Sequence, residues 1–448
     1  MTGRLLASTM LSTAVGLGIA AGQPVARAAT IQGTPESYLP LVRALKPGDR
    51  LLLAPGEYAQ GLALHGLQGT REAPIRIGAL DPAKRPRFVG RPGHNTVSIV
   101  DAAFVEVANL DLDGRGLPVN GVKAEGHARY AHHVVVRGLR IVGHGANQNV
   151  VGISTKCPAW GWVIRDNLIV GAGTGMYLGD SDGSAPFVAG LIEGNVVLDT
   201  IGYNVQIKHQ KARPFLPGMP DGASVTVIRR NVFRKGANSS HGELARPNLL
   251  VGHFPPQGPG ADDTYLVYGN FLYRNATEAL FQGEGNVALY NNAFVNPEGS
   301  AVRVQPHNAV PERIDIFHNT VVARDNGIRV TGGNPARAQR VFGNVVFAAQ
   351  PLAGGLQTGN VSGELAQAPA VLRAPLDEPK RLDLRPQPGV LAPLPPGSPD
   401  TAAFPQAGLD FDRVRRVRPL PGAFGEEDRA FLPLATPRRP AVTARVVQ

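Results

Sequence analysis

Lysine, histidine and arginine residues recur along the middle of the sequence at the spacing of a repeated unit. Lys208 and His209 are adjacent, and His253 and Arg303 follow in later repeats. A lysine that is crowded by cations or partly buried loses its proton more easily and can act as a base. An imidazole can return the proton, and a guanidinium can hold a carboxylate through two hydrogen bonds. These residues predict proton abstraction beside a carboxylate, with Lys208 as base, His253 as acid and Arg303 as carboxylate ligand.

Other polar and aromatic residues come into register with these three when the short Gly-opened strands are aligned. Alternate strand residues face opposite sides, so the outward positions of successive strands form rows. The first predicted row is Lys123, Ser154, Tyr177, Gln206, Leu250, Phe281, Arg303 and Arg329. The second is Glu125, Lys156, Gly179, Lys208, Gly252, Gly283, Gln305 and Thr331, followed at the turn by Asp180, His209, His253, Glu284 and His307.

The rows predict a cleft whose walls are the insertions at residues 210–222 and 235–247. The glycines of the second row are expected to leave room for a ligand near the backbone. Tyr177 and Phe281 are expected to stack on rings of the substrate. The predicted substrate contacts are Lys156, Tyr177, Gln206, His209, Phe281, Glu284, His307 and Arg329.

The elements that position these residues are indicated by a repeated phrase of two apolar residues, a spacer, Asn and two more apolar residues. Its Asn residues are Asn167, Asn195, Asn231, Asn270, Asn292, Asn319 and Asn344. Gaps of 22 to 39 residues predict stacked repeats. The segments are short and lack a sustained 3.6-residue period, which excludes a helical solenoid. Asn tolerates a left-handed turn, and its amide can bond to the matching Asn of the next coil. We therefore interpret these residues as a structural ladder.

The pattern predicts an all-β fold: a single-stranded right-handed parallel β-helix with an N-terminal capping helix near residues 39–45 and an irregular C-terminal tail. The solenoid is expected at residues 29–350. The Pro/Arg-rich segment at 351–448 is expected to pack along it, with a disordered end from about residue 437. The single cysteine, Cys157, forms no internal disulfide, so stability must come from the core and the backbone ladders.

Residues 1–28 are predicted to be a secretory signal peptide. Arg4 precedes an apolar stretch at 5–21, and Ala26-Arg27-Ala28 fits a cleavage site. The protein is therefore expected to be secreted or periplasmic, without stable membrane insertion. The formal net charge of +10 suits an anionic partner. The sequence contains no recognisable nucleic-acid module, so an acidic polysaccharide is the expected partner and a monomer the expected state.

Two terminal segments resemble a known group. Lys46-Pro47-Gly48-Asp49, with the Gly56-Glu57-Tyr58 that follows, resembles the first coil of pectate-lyase-like right-handed β-helix proteins. The segment from Gly397-Ser398-Pro399 to Gly425-Glu426 is similar to the closing segment of the same group. The resemblance implies the fold and, more broadly, an enzyme acting on a polysaccharide.

The surroundings of Lys208 distantly resemble the chondroitinase B and alginate lyase family. The family's strand-borne Lys acts as base with an Arg one coil later, beside a calcium that binds the carboxylate. The resemblance implies β-elimination at C5 of a uronate. Here Gly252 stands at the Arg position, and Ile201 and Tyr203 stand where acidic calcium ligands are expected. The sequence therefore requires no cofactor.

Three alternatives remain at the sequence level. Hydrolysis needs two carboxylates, for which Asp180, Asp182 and Glu284 are candidates. The loop containing Asp180 and Asp182 could instead bind calcium. A uronate epimerase would share the proton abstraction step. A non-catalytic polysaccharide-binding or structural solenoid would have the same fold and charge.

Overall fold

The computed structural model describes residues 28–426 and 433–434. The predicted signal peptide lies outside these residues except for Ala28, and so does the tail end beyond residue 437. Among the residues described, no helix has the length and apolar character needed to cross a membrane.

Three long parallel sheets wind around a common core. Sheet A comprises Thr30–Gly33, Arg50–Leu53, Ile75–Ala79, Val105–Ala108, Val135–Arg137, Val163–Arg165, Leu191–Glu193, Val225–Arg229, Thr264–Tyr268, Gly285–Tyr290, Pro311–Phe317, Gln339–Phe342 and Leu356–Thr358. Sheet B comprises Glu57–Tyr58, Arg87–Val89, Asp111–Asp113, Arg140–Val142, Leu168–Val170, Val196–Leu198, Val232–Arg234, Phe271–Tyr273, Ala293–Asn296, Thr320–Ala323, Val345–Phe347 and Val361–Gly363. Sheet C comprises Leu62–His65, Val97–Val100, Val122–Ala124, Val151–Thr155, Thr174–Leu178, Val205–Ile207, Leu249–Val251, Phe281–Gly283, Val302–Val304, Asn326–Val330 and Gln350–Ala353.

Each coil contributes one strand to each sheet in turn, so every strand pairs with those of the preceding and following coils. A short fourth sheet, Ala102–Ala103, Ala131–His132, Ala159–Trp160 and Phe187–Val188, follows sheet C in four coils. Inward residues such as Ile153, Met176 and Val205 are fully buried and form one continuous core. The predicted right-handed parallel β-helix is confirmed.

A short helix, Tyr38–Ala44, closes the N-terminal end of the core, as predicted. Tyr38 and Val42 are buried. The Tyr38 ring packs edge-on against Tyr58 at 5.0 Å, and its hydroxyl donates to the Gly61 carbonyl at 2.7 Å. The helix thus covers apolar residues that would otherwise face water at the open end of the first coil.

The repeated Asn residues form a continuous ladder in the turn between sheets A and B. Each side-chain amide from Asn167 onward donates to the amide oxygen of the next Asn at 2.9–3.0 Å, and the ladder extends to Asn360. The Asn residues themselves do not adopt the left-handed conformation. The residue before each one has a φ of 51° to 66°: Asp166, Gly194, Arg230, Gly269, Asn291, His318 and Gly343. This preceding residue makes the turn, and the Asn that follows is buried and provides its hydrogen bonds.

The last coil extends beyond the predicted end at residue 350, because strands at 356–358 and 361–363 continue sheets A and B. The tail adds the 3₁₀ turn Leu365–Gln367, the helix Ala368–Val371 and the antiparallel strands Leu372–Ala374 and Asp383–Pro386. Tail residues Leu384 and Phe424 pack on apolar outer residues of sheet B, and Phe404 packs against Tyr290 and Phe317 of sheet A. The apolar clusters that the described tail residues form contain no residue of sheet C.

Cys157 lies in the core just after a sheet C strand and is 1% exposed. Burial raises the pKa of its thiol to about 12. A thiol that stays protonated is a poor nucleophile, so Cys157 acts as a small apolar residue.

Candidate functional site

The outer face of sheet C presents two rows of side chains, but their register differs from the prediction at one coil. Strand pairing aligns Leu250 with Gln282, and Gln282 with Arg303. Phe281 is fully buried and points into the core, so its predicted role in stacking on a substrate is wrong. A shift of one residue moves a strand side chain to the opposite face.

The same shift changes the second row. Gly283 pairs with Val251, so the residue that aligns with Gly252 in the next coil is Glu284 and not Gly283. A Cβ at Gly252 would lie 2.3 Å from the backbone nitrogen of His209. This glycine is therefore needed for close packing between coils, and the predicted series of glycines that leave room for a ligand is wrong.

Lys156 lies across the ring of Tyr177 on the outer face. Its Nζ is 3.4 Å from the ring centroid, a cation–π contact. The pKa of Lys156 is lowered to about 8, chiefly by burial; the charge of Asp180 opposes this shift, and the charges of Lys123 and Lys208 add to it. At neutral pH the ammonium therefore predominates and can release its proton when the pH rises moderately.

Lys208 follows the strand Val205–Ile207, two strands beyond the one that precedes Lys156. Burial lowers the pKa of Lys208, opposed by the negative charges of Asp180 and Glu284. Gly179 adjoins it with a φ of +93°, and a Cβ there would lie 3.2 Å from the Lys208 Cβ. The site thus contains a half-buried lysine whose neutral form is more accessible than that of a solvated lysine.

Two imidazoles from neighbouring coils stack beside Lys208. The ring centroids of His209 and His253 are 5.3 Å apart, and the rings are inclined by 20°. His253 Nδ1 lies 2.8 Å from the Phe254 carbonyl, which can only accept, so Nδ1 carries the hydrogen and Nε2 can exchange a proton. Burial, then Lys208 and His253, lowers the pKa of His209, and its Nδ1 is buried without a hydrogen-bond partner. His253 therefore lies against the residue that follows Lys208 in the chain.

Glu284 is 2% exposed, and its carboxylate binds the backbone of the next loop. Its carboxylate accepts the backbone N–H groups of His307, Asn308 and Ala309 at 3.0–3.1 Å. The His307 side chain itself is exposed. Glu284 is thus a loop anchor whose charge reaches Lys208, and its oxygens are largely occupied.

Arg303 does not join the lysines and histidines. Three strand spacings separate its strand from that of Lys208, or roughly 14 Å. Arg303 Nη1 lies 3.2 Å from Glu278 Oε2, and Gln282 Nε2 donates to the same oxygen at 2.6 Å. The prediction that Lys208, His253 and Arg303 converge is wrong for Arg303. Exposed Arg329 lies one strand farther still.

The residues that do come together are Lys156, Tyr177, Gln206, Lys208, His209 and His253. Gln206 is 6% exposed and pairs in register with Tyr177, so it lies beneath the site. The sequence prediction missed Tyr203, Arg246, Glu278 and Gln282, which lie toward the opposite end of the sheet C strands. Arg246 belongs to an insertion, so no repeat phrase could indicate its position.

The loop of Asp180 and Asp182 forms a closed turn. Asp180 accepts the Ala185 N–H at 3.0 Å and the Ser184 hydroxyl at 2.9 Å, and Asp182 accepts the Ser184 N–H at 3.0 Å. The hydrogen bond from the Ser184 N–H is the largest cause that lowers the pKa of Asp182. Across residues 28–426, no group of three His, Cys, Asp or Glu side chains is placed to hold a metal ion. The carboxylates fit a turn better than a calcium site.

A buried ion pair fixes the wall at residues 210–222. Arg213 pairs with Asp263, with side-chain exposures of 2% and 4%, and Arg213 Nη1 donates to the Pro220 carbonyl at 2.7 Å. The wall therefore has a fixed base beside His209.

Arg213→Ala is expected to lower the free energy of unfolding by about 3 kcal/mol, because it leaves the buried Asp263 carboxylate without its partner. Chemical denaturation measures this. The control is Arg324→Ala, which removes an exposed pair with Asp325 and should cost less than about 1 kcal/mol. Equal losses in the two variants would contradict a structural role for the buried pair.

Comparison with known proteins supports the fold. No protein-family model matches the chain, and no curated protein matches it either. The GH136 lacto-N-biosidase from Eubacterium ramulus superposes with a TM-score of 0.52 at 13% identity, covering 75% of this chain and 68% of that one. An alginate lyase from Paenibacillus sp. str. FPU-7 gives a TM-score of 0.48 at 18% identity, covering 75% and 99%. The superposition on the biosidase supports the parallel β-helix fold of this chain.

Proposed function

We propose that this protein is a polysaccharide-active enzyme that cleaves an acidic, uronate-containing polysaccharide by β-elimination. The observation that carries the proposal is the pair of half-buried lysines, Lys156 and Lys208, on the open face of sheet C. Their pKa values are both lowered, and stacked imidazoles adjoin Lys208. The predicted export and the net charge of +10 agree with such a polymer.

The proposed reaction uses four side chains. Lys156, kept as an ammonium over the Tyr177 ring, neutralises the uronate carboxylate in the place first assigned to Arg303. Neutral Lys208 removes the proton from C5, and the electrons of that C–H bond form the C4–C5 double bond. The bond from C4 to the bridging oxygen breaks, and the oxygen takes a proton from Nε2 of protonated His253.

Elimination is supported better than the other chemistries. Hydrolysis would need two available carboxylates, yet Glu284 is engaged by three backbone N–H groups and Asp180 by its own turn. An epimerase would share the C5 proton abstraction and differ only in returning the proton to the opposite face. Product analysis distinguishes the two.

The test is incubation of the purified protein with alginate, pectate, chondroitin and dermatan sulfates, and glucuronan. Elimination produces an unsaturated uronate that absorbs in the far ultraviolet, and we expect this absorbance to rise with one of these polymers. Uronate inversion without a rise would identify an epimerase. Reducing ends without the absorbance would identify a hydrolase, and no change with any polymer would favour a binding protein.

The rate of elimination is expected to show a bell-shaped dependence on pH. Activity requires Lys208 to be neutral and both Lys156 and the proton donor His253 to be charged, so it falls in acid as Lys208 gains a proton. It falls in alkali as Lys156, with its pKa lowered to about 8, loses its proton. The profile is measured by determining kcat/KM from initial rates at a series of pH values. Lys156→Ala should change the position of the alkaline limb, and an unchanged bell in that variant would contradict the role assigned to Lys156.

A further inference from the structure

A second polar cluster lies beside the beginning of the sheet C strands, at the end opposite Lys208. We call Tyr203, Arg246, Glu278, Gln282 and Arg303 the Arg246 cluster. Arg246 Cζ lies 5.8 Å from the centre of the Tyr203 ring. Glu278 pairs with Arg303 and accepts from Gln282, and its charge reaches Tyr203. The group is therefore compact.

Buried side chains donate hydrogen bonds to the backbone carbonyl of Arg246. Lys235, only 1% exposed, donates from Nζ to the Arg246 carbonyl at 2.6 Å, and Asn275 Nδ2 donates to the same oxygen at 2.9 Å. Ser240 ties the same insertion to the Ile201 carbonyl through its backbone N–H at 2.9 Å. A polar group is costly to bury without a partner, so the Lys235 amine fixes the backbone that carries Arg246.

The guanidinium of Arg246 is only partly used. Its Nη1 donates to the carbonyls of Glu243 and Ala245, each at 2.7 Å. Within residues 28–426, no carboxylate lies within 4.0 Å of it, whereas Arg303 is neutralised by Glu278. Nε and Nη2 of Arg246 therefore remain available to an anion beside an aromatic ring.

We propose that Arg246 binds the carboxylate of a second uronate unit of the polymer, with Tyr203 against that sugar ring, an assignment that rests on the proposed function. Tyr203 and Lys208 flank the strand Val205–Ile207 and are five residues apart, a separation of at most roughly 16 Å along the chain. This separation places the second carboxylate on a different sugar unit from the one that loses its proton. The enzyme then selects runs of uronates rather than isolated units.

Binding measured without turnover tests this assignment. Uronate oligomers of the polymer that is cleaved are titrated calorimetrically into Lys208→Ala protein, with and without Arg246→Ala. We expect Arg246→Ala to weaken binding about tenfold or more, because a charge-assisted contact is lost. Arg246→Lys should recover only part of the loss. With carboxyl-reduced oligomers, Arg246→Ala should make no difference.

Arg165→Ala is the matched control, since Arg165 is exposed on sheet A, away from this cluster. Its affinity should equal that of the parent. If Arg246→Ala binds uronate oligomers as tightly as the parent, the assignment is overturned, while elimination by the unmodified enzyme would leave the proposed function intact. If the unmodified protein neither cleaves nor binds any uronate polymer, both fail.

Discussion

Lys208→Ala is expected to lower kcat/KM for elimination by about 10³-fold, the size of effect that a positioned general base provides. The half-buried position of Lys208 lowers its pKa, so its neutral amine is more accessible than that of a solvated lysine. The charge of Lys208 acts on the adjacent His209, whose ring stacks on that of His253. The loss should appear in kcat, because the base acts at the transition state.

Lys208→Arg distinguishes a base from a fixed positive charge. An arginine keeps the charge but does not lose its proton in a protein, so it should be as inactive as the alanine variant. Far-ultraviolet absorbance of the unsaturated product measures all variants. Lys211→Ala is the control, since Lys211 is exposed and its side chain pairs with the surface carboxylate of Asp182. Full activity in Lys208→Arg would show that Lys208 acts only electrostatically.

The fold could be predicted because every coil repeats the same physical requirements. Apolar pairs fill the core, and a buried Asn beside each turn satisfies the backbone of its neighbours, as Asn195 does for Asn167. These requirements leave a mark in each repeat. The residue that adopts the left-handed conformation could not be identified from the repeat pattern, because positions such as Asp166, Arg230 and His318 share no residue type.

The candidate site could be predicted only where strands keep a regular register. Tyr177 and Gln206 align because their strands pair without a register shift. The prediction placed Gly283 on the outer face, but this residue lies inward at the end of its strand. The same one-residue error placed Phe281 on the surface in the prediction, whereas its side chain lies in the core. Arg246 could not be predicted at all, because its position depends on the hydrogen bond from buried Lys235.

Interrupting the Asn ladder at its centre is expected to have the largest effect on stability. Asn231 is 1% exposed, and its oxygen accepts the backbone N–H and the side-chain amide of Asn195 at 2.9 and 3.0 Å. Its own amide donates to the Ile192 carbonyl at 3.0 Å and to Asn270 at 2.9 Å. Asn231→Ala leaves several of these buried groups unsatisfied at roughly 1–3 kcal/mol each, so a loss of about 4–6 kcal/mol is expected.

Asn360→Ala is the matched control at the end of the same ladder. Asn360 is partly exposed, so water can replace the bonds that Asn344 makes to its oxygen, and the loss should be about 1–2 kcal/mol. Urea unfolding followed by circular dichroism compares the two variants. Each coil contacts only its neighbours, so Asn231→Ala should also divide one unfolding transition into two. Equal losses in both variants, with a single transition, would show that the ladder does not couple the coils.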